Sequence, residues 1–194
     1  FCDGARRQPR SRGHREAGRV HHRPATGKVF CVRRRHAFMS ERASGKNGNG
    51  TDSGQVGVYK YNSATSSWTQ LGADIYGSAG DYSGPVSLSS DGSRLAIGSY
   101  GNDGTNGNSS NMGTVRIYDY NGSAWVQLGA NIDGEATGDK SGVSVSLSSN
   151  GTRVALGAPA NSGGGNLAGH VRIYDYTGSA WVKVGQDIDG KAAN

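Results

Sequence analysis

The chain is short of cysteine and of long apolar runs, and of histidine beyond its first quarter, and each shortage closes off a class of chemistry. Of its 194 residues only two are cysteine, Cys2 and Cys31, and both lie in the first quarter. The remaining three quarters therefore hold neither a disulfide framework nor a thiolate metal site. No run approaches the ~20 apolar residues of a membrane-spanning helix. No charged start followed by an apolar stretch reads as a secretory signal. The chain opens on Phe1 rather than Met, as expected of a fragment, so the missing signal is silent on secretion. His170 is the single histidine after residue 50. No pair of acids in visibly unequal surroundings accompanies it, so no acid–base constellation is legible and the expectation is that the chain is not an enzyme.

The net charge of +6 averages two unlike parts. Residues 1–50 carry 13 Lys or Arg against 3 acids, a net +10, and residues 51–194 carry 8 against 12, a net −4. A basic arm of this kind binds nucleic acid by counterion release. Here no aromatic platform or groove-reading motif accompanies the charge, so no nucleic-acid partner is expected. A shift of 59 places Arg35–Ser40 against Arg94–Ser99, as if a repeat emerged from a stretch translated out of frame. The division expected is residues 1–36 as a basic segment of low structure and an artefactual start, and residues 37–194 as the repeat region.

What the chain does have is repetition. GTVRIYDYNGSAW ends at Trp125 and GHVRIYDYTGSAW at Trp181, 56 residues later. A looser copy, GQVGVYKYNSATSSW, ends at Trp68, 57 residues before Trp125. Between them lie GDYSGPVSLSSDGSRLAIGS from Gly80 and GDKSGVSVSLSSNGTRVALGAP from Gly138. Self-similarity at this period means a solenoid, a propeller or an array. Within one copy, Thr114–Tyr120 alternates as a strand, Asn121-Gly122 marks a hairpin and Trp125–Leu128 forms the returning strand. Ala130–Gly142 reads as a polar connecting loop. Val143, Val145 and Leu147 alternate with serines in a third strand, Asn150-Gly151 turns the chain, and Arg153–Ala158 makes a fourth. The fold expected is all-β: a partial β-propeller of four-stranded antiparallel blades with a period of about 57 residues.

The Ala155-Leu156-Gly157-Ala158-Pro159 phrase, followed by GHVRIYDY and Trp181, resembles the FG-GAP repeat of integrin α-subunit propellers. The resemblance covers about residues 50–194, or two and a half blades. Ser83-Gly84 and Ser141-Gly142 stand where the family has its aromatic–glycine element. Ser89-Ser90-Asp91-Gly92 and Ser148-Ser149-Asn150-Gly151 stand where several of its blades carry a calcium loop. These are tight turns with too few oxygen ligands for calcium. The resemblance implies about seven blades in a complete propeller, roughly 400 residues at this period.

Candidate sites follow the repeats. Trp68, Trp125 and Trp181 recur once per blade, either as sugar-stacking platforms or as packing elements. Asn131, Asp133 and Asp139, with Asp187 and Asp189, are carboxylate-rich positions for calcium, although turn-forming Asp-Gly explains the same letters; no other cofactor is expected. Asn49, Asn108, Asn121 and Asn150 head N-glycosylation patterns. The function expected is a non-catalytic, extracellular or cell-surface binding and adhesion module that meets a protein or glycan ligand at its blade-end loops, Gly101–Met112 and Asn161–Ala168. The alternatives are a carbohydrate-binding propeller lectin and the propeller part of a larger secreted enzyme. Further blades from a longer chain, or self-association, would cover the open blade faces.

Overall fold

The structure, a computed structural model, describes residues 28–33, 36–41, 49–104 and 110–191. Three sheets follow one another along the chain. The first holds β1 (Lys28–Arg33), β2 (His36–Glu41), β3 (Gln55–Asn62), β4 (Ser67–Gln70) and β5 (Ile75–Tyr76). The second holds β6 (Ser83–Leu88), β7 (Arg94–Ser99), β8 (Thr114–Tyr120), β9 (Trp125–Gln127) and β10 (Ile132–Asp133). The third holds β11 (Ser144–Leu147), β12 (Arg153–Ala158), β13 (His170–Tyr176), β14 (Trp181–Lys183) and β15 (Ile188–Asp189). Each is an antiparallel meander of four strands in chain order, the arrangement of a propeller blade. The all-β, four-stranded blade expected from the repeat is what the chain forms. No helix among the described residues is long and apolar enough to cross a membrane.

Three details differ from the sequence reading. The polar loop from Ala130 contains a strand: β10 pairs with the start of β8 while β9 pairs with its end, so the outer edge of each blade is one strand broken in two. The break falls at Gly129, whose φ of +76° takes the backbone out of the β region. The Asn121-Gly122 hairpin takes four residues rather than two, and only Gly122 has positive φ. Asn121 closes it instead with its side chain, whose Oδ1 accepts from the N–H groups of Ser123 and Ala124. Finally, β2 overlaps the Arg35–Ser40 stretch matched to Arg94–Ser99, but its pairing sets Glu41, not Ser40, opposite Gln55 where Ser99 faces Thr114. That is one residue out of the step a shift of 59 predicts.

The core lies between blades rather than within them. Val56 and Val58 on β3 bury against Leu88 of β6 and Leu95 and Ile97 of β7. One blade later, Val115 and Ile117 on β8 and Ile132 on β10 bury against Leu147 of β11 and Val154 and Leu156 of β12. The period-2 alternation of each third strand thus supplies one apolar face, and the first two strands of the next blade cover it.

The tryptophans fasten this junction. Trp125 Nε1 donates to the Leu71 carbonyl of the preceding blade at 2.8 Å, and Trp181 Nε1 donates to the Leu128 carbonyl at 3.0 Å. The indoles lie over Gly72 and Gly129, where an added Cβ would stand 3.1 and 3.2 Å from the ring. Each ring also packs at about 5.2 Å against the tyrosine ending its own third strand, Tyr120 or Tyr176. A polar clasp completes each interblade loop. Buried Asp81 accepts from the Asn102 amide and the Ser78 N–H, and buried Asp139 accepts from the Asn161 amide and the N–H groups of Glu135 and Ala136.

Two outcomes follow from these contacts. Trp125→Phe removes the indole donor from a half-buried junction and is expected to lower unfolding free energy by about 1–2 kcal/mol, whereas Trp68→Phe, at an exposed ring, shifts it by less than ~0.5 kcal/mol. Urea denaturation compares the two, and equal effects would remove the junction role. The second concerns acid. Hydrogen bonds from Ser89 and Ser93 outweigh partial desolvation and pull the Asp91 carboxyl from 3.8 down to about 2. A lowered folded-state value stabilises above the ordinary one, and the contribution is lost as pH falls from about 4 to about 2. Asp91→Asn supplies the residue that the third blade uses at Asn150, which does not titrate. The denaturation midpoint of the parent chain should therefore fall more steeply than the variant's across that window. Equal slopes would exclude the Asp91 turn as a source of acid lability.

Candidate functional site

The start of each third strand meets a carboxylate on, or just before, the short strand that closes its blade. In the first blade Gln55 at the head of β3 donates to Asp74. In the second, Thr114 at the head of β8 donates to Asp133 at 2.6 Å. In the third the equivalent position is His170, set in register opposite Asp189. A second recurring bond runs from the end of the fourth strand: Gln70 to Asp74, Gln127 to Asn131 and Lys183 to Asp187. The third blade therefore replaces two neutral donors of the pattern with an imidazole and an ammonium.

Glu135, from the loop joining the second and third blades, completes the group. Among the described residues, Glu135, His170 and Asp187 form the one set of three His, Cys, Asp or Glu side chains whose ligand atoms all lie within 4.8 Å of one another. His170 is buried, with Nδ1 3.8 Å from Asp187 Oδ2 and Nε2 lacking a hydrogen-bond partner. Arg172 Nη1 lies 3.3 Å from Glu135 Oε1 and its Nη2 donates to the Asp133 carbonyl at 3.1 Å. Lys183 pairs with Asp187 and approaches Glu135 at 4.0 Å. Partial burial works against the charge on Asp187, but the hydrogen bond and charge of Lys183, joined by His170 and Arg172, hold its carboxyl below the ordinary range. The same contact holds the Lys183 ammonium above its ordinary value. One nitrogen and two carboxylates form a donor set suited to zinc or another first-row divalent ion rather than to calcium, which takes oxygen.

The residues singled out in the sequence are distributed as follows. Asn131 accepts from Gln127, Asp133 from Thr114, and Asp139 is committed to its loop clasp. Asp187 alone of the calcium candidates enters the three-residue group, and Asp189 is exposed on β15. Trp125 and Trp181 are half-buried at blade junctions, and Trp68 is exposed. A cleft of about 210 Å³ at the second junction brings Asn131, Asp133 and Trp181 together with Ile132 and Tyr174. Asn49, Asn121 and Asn150 are exposed, the last two with Oδ1 engaged in turns, and Asn108 lies outside the described residues. Glu135 and His170 were not legible as partners. The signal that would have found them is departure from the repeat: His170 stands where the other copies have Gln55 and Thr114, and Glu135 where the first has Ser78.

No family model matches the chain, and neither does any curated protein. Among solved structures it is similar to a candidate 6-phosphogluconolactonase from Bacteroides fragilis, with a TM-score of 0.53, 12% identity and coverage of 87% of this chain and 41% of that one. It is also similar to the β-propeller domain of the Trilobed protease from Pyrococcus furiosus (TM-score 0.46, 7% identity, 84% and 42% covered) and to the acylaminoacyl peptidase of Pyrococcus horikoshii (0.42, 11%, 85% and 25%). The chain spans about two fifths of the length of the first two. At these identities the likeness is one of fold, a partial all-β propeller. The reading of a non-catalytic adhesion module, and with it the integrin and cell-adhesion terms, is corrected here. One solved propeller of similar fold is named for an enzyme, and the third blade brings Glu135, His170 and Asp187 close enough together that they could hold a metal ion. The FG-GAP resemblance carries the blade architecture and not that role.

Proposed function

We propose that residues 37–194 form part of the propeller of a larger extracytoplasmic enzyme, and that Glu135, His170 and Asp187 hold a divalent metal ion at the junction of its second and third blades. The observation that carries this reading is the convergence of those three side chains, with a buried imidazole among them. Three protein ligands leave room for water or substrate on the metal, which is how a catalytic zinc site differs from a structural one. Such an ion polarises a carbonyl and lowers the pKa of bound water. The reaction class proposed is therefore metal-assisted hydrolysis. The name of the Bacteroides fragilis protein makes a sugar lactone the first substrate to try.

Lys183 and Arg172 compete with a metal for the two carboxylates, and that competition makes the proposal testable. Calorimetric titration with Zn²⁺ should give saturable one-to-one binding that His170→Ala abolishes. Lys183→Gln restores the neutral residue of the earlier blades and should tighten binding several-fold, the scale of a half-exposed ion pair. Absence of saturable binding in both the parent chain and Lys183→Gln would reduce the cluster to a structural ion-pair network. With the metal loaded, hydrolysis of a lactone followed by pH-stat should fall with His170→Ala.

A further inference from the structure

The cleft between the second and third blades copies the first junction with two letters changed. Ala130, Ile132, Tyr174, Ala180 and Trp181 line it, and the same positions of the first junction are Ala73, Ile75, Tyr118, Ala124 and Trp125. The other two lining residues, Asn131 and Asp133, stand where the first junction has Asp74 and Tyr76. There Asp74 accepts from Gln55, from Gln70 and, at 3.5 Å, from the Tyr76 hydroxyl. In the cleft a short carboxylate takes the place of that phenol. Asn131 accepts from Gln127 through Oδ1, so its NH₂ is what it has to offer a ligand. Asp133 accepts from Thr114, and a carboxylate has capacity for further bonds of this kind.

The other walls narrow the choice of ligand. Tyr174 is buried, and burial outweighs the opposing charges of Arg172 and Lys183 to push its phenol up, so it remains a neutral hydroxyl. The Trp181 indole is held by the Leu128 carbonyl and by Tyr176, a wall already fixed before anything binds. Arg172 and Lys183 are paired with Glu135 and Asp187, which leaves Asp133 to set the charge of the cleft and to repel an anion. Its volume of about 210 Å³ lies below the ~300–1,000 Å³ of pockets for drug-sized ligands, which suits a single ring. The cleft also adjoins the Glu135–His170–Asp187 group. Arg172 donates to the Asp133 carbonyl and lies 5.9 Å from the centre of the Tyr174 ring, and Tyr174 is in register opposite Lys183.

We propose that this cleft binds one ring of an uncharged sugar. Sugar hydroxyls both donate and accept, so they satisfy an amide donor and a carboxylate acceptor two residues apart, Asn131 and Asp133. The C–H surface of the ring meets the apolar wall of Ile132, Tyr174 and Trp181. The proposal deepens the hydrolase reading and rests on it only in making the cleft the place where that enzyme's substrate lies. It also narrows the substrate, from sugar lactones at large to those without a phosphate or carboxylate.

Saturation-transfer difference NMR on the full chain, with chelator present, tests this with methyl β-D-glucopyranoside, a neutral ring that does not hydrolyse under these conditions. Saturable transfer is expected, with a Kd on the order of millimolar for so small a ligand. Asn131→Ala should weaken it about three- to tenfold, the scale of one hydrogen bond. Asp133→Tyr restores the letter of the first junction and should abolish it, with unchanged far-ultraviolet circular dichroism. Trp181 is left intact because it fastens the blade junction. Gluconate and glucose 6-phosphate should bind more weakly than the glycoside. Absence of saturable transfer from the glycoside overturns the proposal, as does binding that survives both Asn131→Ala and Asp133→Tyr, or tighter binding of either anion. Binding retained in His170→Ala is expected and separates the two readings: it shows the cleft at work without the metal ligand, whereas loss there would overturn a distinct sugar site.

Discussion

A blade of this protein has an apolar face that nothing in the same blade can cover. The third strand points Val56 and Val58, or Val115 and Ile117, away from its own sheet, and a single sheet has no second layer to receive them. Everything else in the architecture answers that constraint. The first and second strands of the next blade supply the covering layer. The tryptophan beyond them reaches back to a carbonyl and so fixes how far one blade slides on the other. The Asp81–Asn102 and Asp139–Asn161 clasps then hold the connecting loops whose length sets the spacing. Burial supplies most of the free energy here. The directional bonds mainly select one stacking geometry among many that would bury similar area.

The candidate site uses the same scaffold with two residues exchanged. Where the first and second blades close with neutral donors on Asp74, Asn131 and Asp133, the third closes with His170 and Lys183 on Asp187. The backbone positions are unchanged, so the exchange costs no new fold. It converts a bond that merely ties the last strand to the blade into a cluster of charged side chains around a buried imidazole. Glu135 reaches that place because the interblade loop delivers it from the preceding blade, next to Arg172.

The four-stranded blade unit and the repeat period were legible because repetition averages away local ambiguity: a strand pattern seen twice at one period is hard to misread, although the count read as two and a half blades where three sheets form. The broken outer strand was not legible, because Ile132-Asp133 is too short to show alternation and sits among turn-forming letters. Nor was the place where each junction tryptophan lands. Leu128-Gly129 looks like the end of a strand until the indole of Trp181, 52 residues on, is placed over it. The site was hidden for a related reason. Searching for what every copy shares finds the framework, and Asp187 was noticed because it looked like Asn131. His170 and Glu135 are informative through their difference from the other copies, and only the fold shows that the two differences meet.

The divided outer strand also bears on how the molecule avoids indiscriminate aggregation. A long, straight edge strand offers an uninterrupted ladder of N–H and C=O groups to any extended chain. Here the rim of the second and third blades is three residues, a kink at a left-handed glycine, and two residues more. No passing strand can pair with that rim for longer than a few residues before the register is lost. Contacts through the rims are therefore brief and non-selective.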